Sequence, residues 1–475
     1  MVIGLLFLLV TQNAQASKLS LDQKEVARLV LERSFRAREI NLKYEQLLLP
    51  LRASESIYDW RLAAETGYEF DRSETLSLIG NENKFERLTS YVQLGKTLSL
   101  GTSLNFEYRR TAQKASVPGA ASIPGLATLD TLTFSLEQPL WNNSFGISDR
   151  AKVRKARLEY ESSKVLRANE LEDSVLEALR SFWNTYVAQA NLQEAINSRE
   201  RYEQLVKTVR KKSAVGYTSP GELSQVLAEY EGRVQNVKTA SQEYLRSLDA
   251  FMTLLDLPPE TELEFKANKE IPPPPKLSPI HIEELRNSRS QQLRLKAAEE
   301  NLTASRWGNS PNLSLILRAG QSGLDDTGEA AYSELLSGRN PRYYAGLKFQ
   351  YAFGAGAANE DLVNKRLARD AEQNRLARLN REERDRLEAA ERRVATTYAL
   401  ALSSKTQRDL REKAMQELNR SFNQGRTDIS VLIEAMNRYF ATEIQYIRAV
   451  GDYQIALNEW AAQRDELIPS AKEEK

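Results

Sequence analysis

The side chains best placed for chemistry are charged ones beside two glycine turns. Glu222 follows Ala214-Val215-Gly216-Tyr217-Thr218-Ser219, and Arg426, Asp428 and Glu434 lie at or just after Asn423-Gln424-Gly425-Arg426-Thr427-Asp428. An oxygen-bearing side chain at the start of a helix accepts from unpaired backbone N–H groups. Thr218 or Ser219, and Thr427 or Asp428, are therefore predicted N-caps. Gly216 and Gly425 suit the left-handed turn that ends a helix. None of this is covalent chemistry. The 475 residues include no cysteine and one histidine, His281. Thiol nucleophiles, disulfides, zinc–thiolate sites and a lipidated cysteine are thereby excluded, and a histidine-rich metal site or a Ser-His-Asp triad has almost nothing to be built from. Carboxylates are abundant, but none falls in a recognisable catalytic setting, and no phosphate loop is present. The expectation is a protein that is not an enzyme. A net charge of +1 leaves no basic footprint for nucleic acid.

The elements that carry these turns are very long. Residues 147–213 contain no proline and no glycine and are rich in Ala, Leu, Glu, Arg and Lys, which predicts one helix of roughly 100 Å at 1.5 Å per residue. Val165, Leu166, Val175, Leu176, Leu179, Phe182, Trp183, Tyr186 and Val187 fall at mixed three- and four-residue spacings, an apolar stripe wider than a two-stranded seam. Residues 358–422 predict a second long helix. Partner helices are expected over 221–257 and 428–466, giving two antiparallel hairpins. The charged run Arg378 to Arg393 is expected to face solvent with i,i+4 ion pairs. No segment after the N-terminus has 18 uninterrupted apolar residues, so no membrane-crossing helix is expected.

Alternating strands accompany the helices. Leu98, Leu100, Leu104, Phe106 and Tyr108 alternate with polar residues, as do Leu132, Phe134 and Leu136, then Leu313, Leu315 and Leu317, then Tyr343, Ala345, Leu347, Phe349, Tyr351 and Phe353. Such runs of about ten residues are the transmembrane barrel pattern. Tyr108, Trp141, Tyr343 and Phe353 suit an aromatic girdle near strand ends. Four strands cannot close a water-filled barrel; three chains would supply twelve. Residues 60–70 and 88–96 are candidates for an additional hairpin.

The chain is written twice. Shifting by 212 aligns Gln138 with Gln350, Asp149 with Asp361 and Thr185-Tyr186 with Thr397-Tyr398, with 11 of 49 residues identical over 138–186, roughly three times the chance level. A shift of 209 aligns Gly216 with Gly425 and Tyr230 with Tyr439. The expected organisation is a signal peptide over 1–16, a first repeat over 17–268 with strands at about 88–141 and a hairpin at 147–257, a proline-rich linker over 269–280, and a second repeat over 281–475 with strands at about 311–353 and a hairpin at 358–466. Each repeat opens on a moderate helix, at about 21–50 and 281–306. The signal peptide reads from the apolar run Val2 to Val10, followed by Ala14-Gln15-Ala16.

This order of parts resembles the outer-membrane efflux protein family, whose best-known member is TolC. Gln138-Pro139-Leu140-Trp141 resembles the family's first strand-to-helix junction, and Phe353-Gly354-Ala355-Gly356 the second. The two glycine turns match its two hairpin tips, and Val431-Leu432-Ile433-Glu434-Ala435 matches the helix after the second tip. The resemblance implies a mostly α fold in which a homotrimer shares a transmembrane β-barrel, each protomer giving four or more strands. It also implies a periplasmic α-barrel, no cofactor and no catalysis. It implies an exit duct in the outer membrane of a Gram-negative cell, working with a periplasmic adaptor (membrane fusion) protein and an inner-membrane pump or ABC exporter, in efflux or type I secretion. Carried onto this chain, Val215, Gly216, Tyr217, Gln424, Gly425 and Arg426 become adaptor contacts, and Arg426, Asp428, Glu434 and Glu222 become candidates for the periplasmic gate. Ile433 and Ser430 stand where the family often has an acidic residue.

A non-conducting coiled-coil scaffold of the envelope would use the same helices without a pore. The signal-peptide reading carries its own check: N-terminal sequencing of envelope material should return Ser17 first, whereas retained Met1 in a cytosolic fraction would contradict export.

Overall fold

The computed structural model describes residues 19–71, 75–77, 80–82, 84–116, 127–216, 220–258, 261–266, 271–276, 278–351, 353–354 and 356–468. The signal peptide over 1–16 lies outside them. In chain order the elements are β1 (Leu19–Leu21), α1 (Gln23–Arg33), α2 (Phe35–Gln46), α3 (Leu48–Glu55), β2 (Arg61–Asp71), β3 (Thr75–Ser77), β4 (Gly80–Glu82), β5 (Lys84–Thr97), β6 (Ser103–Ser116), β7 (Ala127–Pro139), α4 (Ile147–Ala214), α5 (Glu222–Leu254), β8 (Leu263–Phe265), α6 (Arg286–Gly308), β9 (Asn312–Asp325), α7 (Gly328–Leu336), β10 (Pro341–Gln350), α8 (Gly356–Asn423) and α9 (Ile429–Gln463). They divide between two compact units. One takes the chain up to Tyr44 with Val165–Arg289 and everything from Arg378 on; the other takes Glu45–Lys164 and Ser290–Ala377.

The second unit is built on one six-stranded antiparallel sheet in the order β10-β9-β7-β6-β5-β2. Register decides what each face presents. Leu62 pairs Leu94, Leu94 pairs Phe106, Phe106 pairs Phe134, Phe134 pairs Ala319 and Ala319 pairs Tyr343. Paired residues share a face, so one face is apolar across all six strands. The other carries Glu65, Gln93, Asn105, Thr133, Arg318 and Tyr344 among others. Many large apolar residues on the first face are exposed in the single chain, with Leu62 73%, Tyr343 81% and Leu347 69%.

The short helix α7 lies against β9 and β7. A Cβ on Gly323 would fall 2.0 Å from the Ala331 carbonyl oxygen, so glycine is required where helix and strand backbones meet. Thr327 caps this helix by accepting from Ala330 N at 3.3 Å. Beneath it Arg110 grips the fully buried Asp130 through two bonds of 2.8 and 2.7 Å and donates to the Gly328 carbonyl at 3.0 Å.

At the other end of the strands the chain turns from β7 into α4. Leu140 N donates to Leu313 O at 2.7 Å, and the Asn142 amide donates to the carbonyls of Gly308 and Ser310. Asn143 and Phe145 take left-handed backbone angles, φ 51° and 45°. Asn143 then bonds Asp149 in the first turn of α4. The family-like Gln138–Trp141 stretch is thus a junction held by backbone carbonyls.

The first unit is helical, with β1 and β8 as a small parallel pair. Val175, Leu179, Phe182 and Trp183 of α4 pack with Val26, Leu29 and Val30 of α1, and with Phe251, Leu255 and Ile455. Truncating a buried aromatic of this kind costs about 3–5 kcal/mol. In α9, Gly451 permits close helix approach, since a Cβ there would fall 2.5 Å from Val187. The helices α8 and α9 run antiparallel: Phe422 and Ile429 share a core, Arg408 faces Glu443, the Tyr398 ring lies tilted against Tyr453, and Arg393 pairs Glu459. For α4 and α5, Val209 meets Val226, and Thr185 donates to the Ser247 carbonyl at 3.1 Å.

Several expectations change. The candidate hairpin at 60–70 and 88–96 forms over 61–71 and 84–97 and joins β6, so the sheet has six strands, within the four or more expected, and the strands of the first half begin well before residue 88. Three chains would then bring eighteen strands rather than twelve. Leu98 and Leu100 lie in the turn before β6, where Gly101 takes φ 76°. Tyr108 lies within β6, edge-on to Tyr332 of α7, rather than near a strand end. The helix expected over 21–50 is three helices. Ser34 breaks the first, and Asp256 accepts from Phe35 N at 2.5 Å at the restart. The helix expected from 281 starts at Arg286. The Arg378–Arg393 run does make exposed pairs, yet Glu383, Leu387 and Val394 within or beside it are buried. No helix among the described residues is long and apolar enough to cross a membrane.

One buried charge cluster ties the C-terminal segment down. Glu172, 5% exposed, accepts from Leu467 N and Ile468 N at 3.0 and 3.2 Å and pairs with Arg286. Burial pushes its carboxyl up to about 7, against the pull of Arg286 and with added repulsion from Asp465. The native protein therefore holds a proton there that the unfolded chain has released above about pH 4.3. Stability linked to Glu172 is full below that value and is lost as pH rises through about 7. Thermal unfolding in detergent should show the midpoint falling between pH 5 and 8, with a flatter profile for Glu172→Gln, which keeps an acceptor for both amides. Identical slopes for the two proteins would contradict the assignment.

Candidate functional site

The predicted site residues fall at the far ends of the two long hairpins, which share one core. Tyr202, Leu205, Val206 and Val209 of α4, Val226 of α5, Phe422 of α8, and Ile429, Leu432, Ile433 and Met436 of α9 pack together. The two glycine turns are thereby brought to one end of the unit, although 209 residues separate Gly216 from Gly425 in the chain.

The second turn closes by backbone geometry. Gly425 N donates to Phe422 O at 3.0 Å, and Arg426 N donates to Ser421 O at 2.9 Å. With Gly425 at φ 72° this is the two-bond helix ending that needs a residue without Cβ strain. Asp428 then starts α9, its carboxylate accepting from Ser430 N at 2.7 Å. Gln424, Arg426 and Asp428 are exposed. At the end of α4, Gly216 likewise takes a left-handed angle, φ 76°, with its N–H on Ser213 O at 3.1 Å. The second half of this turn differs. Gly221, at φ 95°, stands at the N-cap position of α5 without a side-chain bond, whereas Thr218 and Ser219 were the expected caps. Those two residues and Tyr217 lie outside the described residues. Val215 is 66% exposed, and Glu222 is half-buried in the first turn of α5.

The charges do not act alone. Glu434 is exposed and pairs with Arg438 one turn along α9. That partner was legible as an i,i+4 spacing. Lys212 was not singled out in the sequence, yet it binds the two hairpins: its ammonium donates to Phe422 O at 2.8 Å and sits 4.0 Å from the Phe422 ring. There it meets the negative end of α8. Deeper in, the Tyr202 hydroxyl donates to Asn437 Oδ1, which also accepts from Arg233 at 2.7 Å. Burial pushes the Tyr202 hydroxyl up to about 12, so it keeps its proton. No sequence motif marks these residues, since the contacts span more than 200 positions. Among the described residues no group of three or more His, Cys, Asp or Glu is placed to hold a metal ion. The arrangement can brace two helix turns against each other and offer exposed charge beside them.

The cap makes a direct prediction. Asp428→Ala should lose about 1 kcal/mol of stability, whereas Asp428→Asn should be nearly neutral because both side chains cap well. Denaturant titration of the two variants reads the difference; equal losses would remove Asp428 as the cap.

No protein-family model matches the chain, and no curated protein does. Solved structures do. CusC, described in work on folding and transmembrane channel formation, aligns with a TM-score of 0.69 at 14% identity over 93% of this chain and 91% of its own. The CmeC outer membrane channel of Campylobacter jejuni gives 0.68 at 12% identity over 94% and 86%. The open MtrE outer membrane channel of Neisseria gonorrhoeae gives 0.66 at 14% identity over 94% and 89%. With the hairpins, their paired tips and the antiparallel sheet combined in one chain, this protein has the TolC-like fold of outer-membrane efflux channels.

Proposed function

We propose that this chain is one protomer of a trimeric exit duct in the outer membrane of a Gram-negative cell, and that it is not an enzyme. The observation that carries the reading is the six-stranded sheet whose apolar face runs from one edge to the other. In lipid only a closed barrel satisfies every strand's backbone groups, and an apolar outer band with a polar inner face is what such a barrel requires. The duplicated hairpins extend into the periplasm as a shared helical barrel. Substrates pass from an inner-membrane pump or ABC exporter, through an adaptor protein, into the duct. The adaptor docks on the turns at Val215, Gly216, Tyr217, Gln424, Gly425 and Arg426.

In a three-fold assembly Arg426, Asp428, Glu434 and Glu222 each recur as a ring. Acidic rings favour cations. Because Arg438 offsets Glu434 within each chain, Asp428 is the stronger candidate for selectivity. Purified protein in a planar bilayer should conduct, and native mass measurement in detergent should give three chains. Asp428→Asn should lower cation selectivity and weaken block by multivalent cations, with a smaller effect from Glu434→Gln, while the trimer persists. Protein that never passes current, even with the tips substituted, is an envelope scaffold; unchanged selectivity in both variants leaves these carboxylates as cap and surface charge.

A further inference from the structure

The first half of the chain carries a hairpin that the second half lacks. Two strands, β9 and β10, precede α8, whereas four strands, β2, β5, β6 and β7, are joined in the same sheet ahead of α4. The extra pair is β2–β5. It is registered on β6 over the whole length of β5, from Lys84 opposite Ser116 to Thr97 opposite Ser103. It also continues the apolar face, with Leu62, Tyr68, Val92 and Leu94 all exposed in the single chain.

The terminal strands of the sheet are β2 and β10. They match in length, 11 and 10 residues, and are exposed almost throughout. We infer that β2 of one copy pairs with β10 of the next, so that the β2–β5 hairpin is part of the barrel wall and three copies close an eighteen-strand barrel. The copy number rests on the duct reading above.

Three observations support the join. An even number of antiparallel strands leaves β2 and β10 running in opposite directions, so copies related by rotation about a barrel axis meet in antiparallel pairs. The polar face of β2 carries Glu65 and Glu69, and that of β10 carries Arg342 and Lys348. Opposite charges on facing strands stabilise a pair, while β10 against β10 would set like charges together. The apolar face reaches both edges, with Leu62 and Tyr68 on β2, and Tyr343, Leu347 and Phe349 on β10, 62–81% exposed. Eighteen strands about 4.8 Å apart and tilted about 40° enclose a ring roughly 36 Å across between backbones, against roughly 24 Å for twelve. The added hairpin therefore widens the outer mouth of the duct by about half.

The chain has no cysteine, so introduced thiols report cleanly. Ala64→Cys is combined in turn with Tyr343→Cys, Ala345→Cys, Leu347→Cys and Phe349→Cys in the full-length protein, oxidised in membranes and run without reductant. Facing residues on paired strands are close enough for a disulfide. At least one combination should shift the band from one chain to two and three and no further, and Ala64→Cys alone should stay at one. Crosslinking of Phe106→Cys on β6 to the same β10 positions would overturn the inference, because the hairpin would then lie outside a twelve-strand wall. A series that ends at two chains, or no crosslink in any combination, overturns it as well. Conductance of the same samples separates this from the duct reading. A crosslinked ring that passes no current keeps the pairing and removes the duct, and current without a β2–β10 crosslink does the reverse.

Discussion

A sheet edge presents a row of backbone donors and acceptors, and a sheet face presents whatever alternates along its strands. Here both belong to six strands, and many large apolar side chains on one face of them are exposed among the described residues. The helix α7 shields only the end near Gly323 and Asp130. A soluble monomer of this architecture would expose far more apolar surface than such proteins tolerate. Most of the rest of the molecule can be understood as the consequence. The junction at Asn142 and Asn143 turns strand into helix on bonds to the carbonyls of Trp307, Gly308, Ser310, Pro311 and Leu313. The first unit, by contrast, has a conventional interior of aromatic and branched side chains around Trp183.

The hairpin tips use little chemistry. Two glycines end two helices, one aspartate starts another, and a lysine ties one hairpin to the carbonyl end of the other. Each is a response to unpaired backbone groups at helix termini. Arg426 and Asp428 stay exposed there, while residues inside, such as Tyr202, Arg233 and Asn437, are committed to bonds across the helices.

Much of this was legible in the sequence because it is periodic or local. The long helices follow from unbroken helix formers, the strands from alternation, and the Gly425 and Asp428 turn from residue types at fixed offsets. What was missed depends on distant partners. Leu98 and Leu100 continue an alternation into a turn, and only Gly101 breaks it. The hairpin at 61–97 was legible only as a candidate, because small and polar residues such as Ala64, Thr66 and Ser90 on its apolar face dilute the alternation. α7 is a nine-residue helix whose place depends on a glycine contact in a strand. Glu383 looks like any acid in a charged run, yet it is buried and accepts from Asn287.

The two long helices, α4 and α8, have 68 residues each. Near their starts, Ser148 donates to the Ala304 carbonyl and Asp361 accepts from Ser305, both on α6. Near their ends, Val209 and Phe422 enter one core. A single residue inserted into one helix would advance its far end by about 1.5 Å and turn it by roughly 100° relative to the other. Evolution of such a protein is therefore constrained in a particular way. Substitutions on the exposed faces leave these end contacts in place, but insertions and deletions in the long helices must arrive in matched pairs to keep them. Length is inherited by the two halves jointly, and sequence separately.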